Sequence, residues 1–235
     1  MSNFSYYGIK TICFFKLKDF FYEFQHTILS PLISTFLFVI ILNLISGYYS
    51  FNIKNTSYIE FLAPGIVMLI VMQSSYQHIS ESLITMKEIG NFKDYLMSPL
   101  SRVEILISLV LFSLISTTFM AILTILIFSI FIDLYSLNYF LVAYYLIITS
   151  LLFSSIGAIV GFLYYSWEAQ QAFLNFFIIP IIFLSGTFYS IDNLHFNYQF
   201  ILKYNPFYLL INNFRNSFVD NSNVNFKIEF LLLFF

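Results

Sequence analysis

Five stretches of this chain contain no Asp, Glu, Lys or Arg: Phe24–Ile53, Phe61–Ser80, Ile105–Ile132, Leu134–Trp167 and Ala169–Ile191, each of 20 residues or more. A helix of about 20 apolar residues matches a hydrocarbon core of about 30 Å, and a run of about 18 is already a transmembrane candidate. The chain is therefore expected to be an all-α polytopic membrane protein forming a single transmembrane domain over residues 1–235. Only 9% of the residues are charged, 60% are hydrophobic and the mean hydropathy is +0.85. Soluble domains carry roughly 25% charged residues.

The same composition limits the function. A net charge of -2 offers no clustered basic surface, so no nucleic-acid partner is expected. The 32 Phe and 18 Tyr suit a ligand-stacking channel, but abundant Phe, Tyr, Ile and Asn is equally what an AT-rich genome encodes. The single cysteine, Cys13, has no disulfide partner and no metal-ligand neighbours, and reads as a small apolar filler. The seven glycines never form the G-x-x-x-x-G-K-[ST] loop that wraps phosphates, so no nucleotide site is expected on this chain.

Residues 1–29 read as an amphipathic helix in the membrane interface. Lys16, Asp19, Glu23 and His26 share one helical face, while Phe14, Phe15, Leu17, Phe20, Phe21 and Phe24 cover the remainder. No cleavable signal peptide is expected, because this segment is long, mixed and aromatic and not short and basic. Spans are expected at 30–50, 61–80, 105–132, 137–165 and 169–189. With a cytoplasmic N-terminus, the inside segments hold Lys10, Lys16, Lys18, Lys87, Lys93 and Arg102, and the first two outside loops hold only Lys54. Excess Lys and Arg marks the cytoplasmic side, which favours that orientation, although Lys203, Arg215 and Lys227 in the last outside segment weaken the bias.

Two connections are long enough to act. Residues 81–104 mix Glu81, Lys87, Glu88, Lys93, Asp94, Arg102 and Glu104 with Ile84, Met86, Ile89, Phe92, Tyr95, Leu96 and Met97. They read as a short amphipathic helix broken at Gly90 and stopped before Pro99, or as a solvated connector. Residues 190–227 are too apolar for a free loop. A re-entrant helical pair dipping into the outer leaflet would bury them and could act as a gate. Within the spans ionisable residues are nearly absent, with His78 near the cytoplasmic end; Asp133 and Glu168 fall in short loops. That scarcity argues against a proton-coupled carrier and against a membrane enzyme. Gly157 and Gly161 permit close helix approach, either between subunits or within one, and Pro180 is expected to kink the fifth span.

Phe61-Leu62-Ala63-Pro64-Gly65, the string from Glu88 to Arg102, Ser154-Ser155-Ile156-Gly157, Leu184-Ser185-Gly186-Thr187, and Asn205-Pro206-Phe207 followed by Arg215 occur in an order that resembles the membrane subunit of type 2 ATP-binding-cassette exporters. The resemblance covers nearly the whole chain. It implies a six-span fold, a non-enzymatic permease, and ATP and Mg bound on a partner ATPase subunit. It also implies pairing with a second permease copy or paralogue in the bacterial inner membrane. Residues 1–29, with Lys16, Asp19 and Glu23, would clasp the ATPase. Glu88–Ser98 would be the coupling helix, with Glu88, Lys93 and Asp94 as polar contacts, Phe92, Tyr95 and Leu96 as an apolar anchor, and Gly90 and Pro99 as its limits. Asn205, Pro206 and Arg215 would mark the re-entrant region. Residues 228–235 span about 12 Å as helix, so the given sequence is expected to stop inside a sixth span. The cargo would be amphipathic: a drug, a lipid-linked molecule or a polysaccharide. The competing class is a stand-alone channel, carrier or lipid-modifying enzyme.

Overall fold

The computed structural model describes residues 5–48, 52–53, 56–132, 138–189, 199 and 205–218. The start of a sixth span, Asp133, and most of the re-entrant segment lie outside the described residues. The described part is helical apart from one two-rung hairpin, β1 (Asn52–Ile53) with β2 (Thr56–Ser57), antiparallel with Asn52 opposite Ser57. In chain order the helices are α1 (Tyr6–Tyr22), α2 (Ser30–Tyr48), α3 (Tyr58–Glu88), α4 (Phe92–Met97), α5 (Arg102–Ser129), α6 (Tyr139–Leu163), α7 (Trp167–Phe173), α8 (Ile179–Leu184) and α9 (Pro206–Asn216). Five helical segments are long and apolar enough to cross a membrane: Gln25–Leu44, Tyr58–Glu88, Arg102–Ser129, Tyr139–Leu163 and Trp167–Leu184. The chain is an all-α polytopic membrane protein.

The element boundaries correct the expected ones in two places. The charge-free run stops at Ser80, but α3 continues to Glu88, 31 residues and about 46 Å, so Glu81 and Lys87 are helical. The charges at 81, 87 and 88 face the end of the bundle or the groove described below, which is why charge alone marked the helix end too early. The N-terminal helix stops at Tyr22, with Glu23 as its cap, so the polar stripe does not run on as one helix to His26. His26 instead belongs to a π-helical turn, Gln25–Leu29, leading into α2.

A second π-helical turn, Leu174–Ile178, joins α7 to α8. Each such turn ends two residues before a proline, Pro31 or Pro180. A proline ring collides with the carbonyl four residues back and leaves it without its N–H partner. Widening the turn, so that Ser30 bonds Gln25 and Ile179 bonds Leu174 five residues back, accommodates the ring without breaking the helix.

Packing is organised around α3. Its Leu62, Met68, Met72 and Tyr76 are fully buried with Phe128, Tyr145, Phe153 and Phe214 from the surrounding helices. Helix α6 lies against it at close range because a Cβ at Gly157 would strike the Tyr76 carbonyl and one at Gly161 would reach the Ser80 backbone at 3.1 Å. The small-residue pair thus seats α6 on α3 of its own chain. Buried serines add polar ties: Ser113 donates to the Ser75 carbonyl (3.1 Å) and shares a hydrogen bond with Ser154 (2.8 Å). Helices α2 and α8 are peripheral, with Leu37, Ile41, Leu44, Phe183 and Leu184 exposed on them.

Candidate functional site: the coupling end and a polar groove

One end of the bundle gathers α1, the C-terminal turn of α3, α4, the start of α5 and the α6–α7 turn. Glu104 ties three of these segments together. Its carboxylate accepts from the Ser5 and Ser101 amides while the Ser101 hydroxyl accepts from the Glu104 amide, a reciprocal cap on α5 that also holds the first turn of α1. From there α1 climbs along α5, with Phe20 against Phe112 and Phe21 against Phe119. Ile9, Ile12, Cys13 and Phe20 are its buried face, whereas Tyr6, Tyr7, Phe14, Phe15 and Tyr22 remain exposed. Burial pulls the Lys16 ammonium below its usual range, and the neighbouring Asp19 and Glu23 carboxylates work against that shift. Burial also pushes the Cys13 thiol up, which keeps it protonated and inert.

The hairpin between α3 and α5 turns at Gly90, whose φ of 84° suits glycine, and α4 ends at Ser98 in extended backbone ahead of Pro99. Phe92 and Tyr95 point back into the protein, packing with Leu100 on a cluster of Ile12, Ile79, Leu83, Met86, Ile105 and Leu109. The Phe92 ring meets Phe162 edge to face at 6.5 Å. Burial, and secondarily the Asp19 carboxylate, raises the Tyr95 phenol above its ordinary range, and Tyr95 packs on the cluster that includes Ile12 of α1. Glu88, Lys93, Asp94 and Pro99 are exposed, as are Ile89 (65%) and Met97 (81%). The side chain of Leu96 lies outside the described part. The outward face is thus charged with two apolar projections, Ile89 and Met97, whereas Phe92 and Tyr95, which the resemblance makes the anchor toward the ATPase, pack inward.

A groove of about 740 Å³ opens between α2, α3 and α8. Toward one end it is apolar, with Phe38, Ile66 and Phe188; toward the other it is lined by Glu23, His26, Gln77, His78, Glu81 and Trp167. His78 is fixed by a 2.7 Å hydrogen bond between its Nδ1 and Ser116 Oγ and lies against the rings of Phe20 and Phe112. Among the described residues no group of His, Cys, Asp and Glu has metal-site geometry.

At the opposite end, Asn205 caps α9 by accepting from the Phe207 amide (3.0 Å), with Pro206 in the first helical turn, where a missing N–H costs nothing. Arg215 is buried. It donates to the carbonyls of Phe61 (3.0 Å), Gly186 (3.1 Å) and Thr187 (3.4 Å) and stacks 3.9 Å over the Phe61 ring. A Cβ at Gly65 would lie 2.6 Å from the Thr187 carbonyl oxygen, so the Pro64–Gly65 step is what lets α3 meet this turn. The motifs around 61–65, 184–187 and 205–215 therefore converge on one junction.

The chain aligns over 233 residues with the inner membrane transport permease YadH of Escherichia coli K12, Escherichia coli O157:H7 and Shigella flexneri. Each is 25% identical, and the alignment covers 99% of this chain and 91% of the relative. The family model of the ABC-2 type transporters matches residues 10–219, and the chain belongs to the ABC-2 type transporter family.

Proposed function

We propose that this chain is the permease subunit of an ATP-driven exporter of the bacterial inner membrane, with its N-terminus in the cytoplasm. Membership of the ABC-2 type transporters and the similarity to permeases described as inner membrane transport proteins support this reading. ATP and Mg are bound by a separate ATPase subunit. A second permease copy or paralogue faces the groove across α2 and α8 and completes a path for an amphipathic cargo: a drug, a lipid-linked molecule or a polysaccharide. ATP binding on the partner biases the switch, since a ligand shifts an equilibrium only through its differential affinity for the two states.

The observation that carries the proposal is the build of the α3–α5 hairpin. A permease without nucleotide chemistry must receive work through a rigid projecting element. Phe92 and Tyr95 root α4 in the bundle while Glu88, Lys93, Asp94, Ile89 and Met97 face out. The orientation rests on charge. Of the seven described Lys and Arg residues, Lys10, Lys16, Lys18, Lys87, Lys93 and Arg102 lie on α1, the last turns of α3, α4 or the first turn of α5, and only Arg215 lies elsewhere.

The test is a Lys93→Cys variant in a Cys13→Ser background, treated with a membrane-impermeant maleimide. Modification only after permeabilisation is expected, together with copurification of an ATPase bearing a phosphate-binding loop. Modification in intact cells overturns the assignment of the hairpin to the ATPase side.

A further inference from the structure

The groove has a one-sided charge. Among the described residues that line it are two carboxylates, Glu23 and Glu81, two histidines, His26 and His78, and no Lys or Arg. Glu23 follows α1, Glu81 sits on α3, and both line the same groove. Trp167, the single tryptophan of the chain, lines the same volume.

These groups share a preference. An indole face attracts a cation through its ring quadrupole, and most strongly where water is partly excluded. A carboxylate adds a Coulomb attraction for a cation, stronger at the half-buried Glu81 than at the exposed Glu23. The other end of the groove, with Phe38, Ile66 and Phe188, suits hydrocarbon or aromatic groups, and about 740 Å³ falls within the range of small-molecule pockets. An anionic cargo would meet the carboxylates of Glu23 and Glu81, while Lys16, the cation coupled to Glu23, is not among the residues that line the groove.

We propose that this groove selects lipophilic organic cations, holding the positive centre among Glu23, Glu81 and Trp167 and the apolar body against the Phe38 and Phe188 end. The proposal names the cargo class of the permease reading and rests on it.

Because Trp167 is the sole tryptophan, its fluorescence reports occupancy directly. The full chain in lipid vesicles, which add no tryptophan of their own, would be titrated with tetraphenylphosphonium and with the isosteric anion tetraphenylborate, comparing proteins within each probe so that bilayer partitioning cancels. The expected result is quenching by tetraphenylphosphonium whose affinity falls tenfold or more in Glu23→Gln/Glu81→Gln, with tetraphenylborate binding unchanged or tighter. Glu81→Asp, which keeps the charge, should retain the cation. If the double variant fails to fold, the contrast between Glu81→Gln and Glu81→Asp carries the same test. Equal tetraphenylphosphonium affinity with and without the carboxylates overturns the cation assignment and leaves the groove as a path for neutral cargo. A Trp167 signal unmoved by both ions and by the neutral probe N-phenyl-1-naphthylamine overturns the path reading as well.

Discussion

The Lys87 ammonium donates to the Gly161 carbonyl at 2.7 Å, joining the last turn of α3 to the C-terminal end of α6. It also reaches the Phe162 (2.7 Å) and Tyr164 (3.0 Å) carbonyls and sits 4.3 Å from the Tyr165 ring centroid. The last carbonyls of a helix have no partner within it and carry the negative end of its dipole, so a cation there satisfies both needs. The close seating of Gly157 and Gly161 on α3 is thus locked at its end by one side chain.

Lys87→Met keeps the stem and removes the donors. Partial exposure lets water replace part of what is lost, so a cost of about 1 kcal/mol is expected. It should appear as a lower midpoint in detergent thermal-aggregation assays, with Lys87→Arg closer to wild type.

Glu104 gives a second, separable prediction. Because its carboxylate accepts from both Ser5 and Ser101, Glu104→Ala should release the first turn of α1 while leaving the rest of α5 intact. Hydrogen exchange should accelerate at residues 5–9, and Glu104→Gln, which retains an acceptor oxygen, should fall between alanine and wild type. Unchanged exchange there would show that Ile9, Ile12 and Phe20 hold α1 without the clamp.

Glycine positions separate steric from conformational strain. Gly157→Ala places a methyl against the Tyr76 carbonyl and forces α6 away from α3, an overpacking cost of typically 1–3 kcal/mol. Gly90→Ala has open space around it, but its φ of 84° costs roughly 1–2 kcal/mol. The first should lower folded yield and thermal midpoint. The second should leave the bundle near wild-type stability and loosen only the hairpin, read as faster proteolysis near 90.

Much of this architecture is legible in the residues. Charge-free runs locate five crossings, because lipid tolerates few charges wherever they fall. Helix ends are less legible: Glu81 and Lys87 look like loop residues, yet Glu81 faces a polar groove and Lys87 caps a neighbouring helix, both tertiary facts. The stripe Lys16, Asp19, Glu23, His26 has helical spacing, but α1 ends at Tyr22 with Glu23 as its cap, and His26 sits in the separate π-helical turn that follows. The two prolines that follow the π-helical turns, Pro31 and Pro180, are legible in the sequence. The division of Phe92 and Tyr95 from Ile89 and Met97 is not, because on a six-residue helix periodicity is too short to choose a face and packing on Ile12 and Leu83 decides it.

That division sharpens the prediction for coupling. Met97 is the most exposed large apolar side chain of the hairpin, and Ile89 projects beside Glu88 at its other end. If the ATPase docks here, Met97 inserts into an apolar recess, and Met97→Arg should weaken the complex by about 2 kcal/mol, roughly thirtyfold in affinity. Permease yield and thermal midpoint should not change, since Met97 is 81% exposed. Phe92→Asp should also reduce coupling, but by a different route: it removes the contact with Phe162, uproots α4 and lowers stability at the same time. Measuring ATPase copurification, cargo-dependent ATP hydrolysis and thermal midpoint on both variants separates the two. Loss of the complex with a normal midpoint in Met97→Arg identifies the outward face as the docking surface. Full coupling in Met97→Arg, with loss only in Phe92→Asp, would move that role from the exposed side chains to the rigidity of the hairpin.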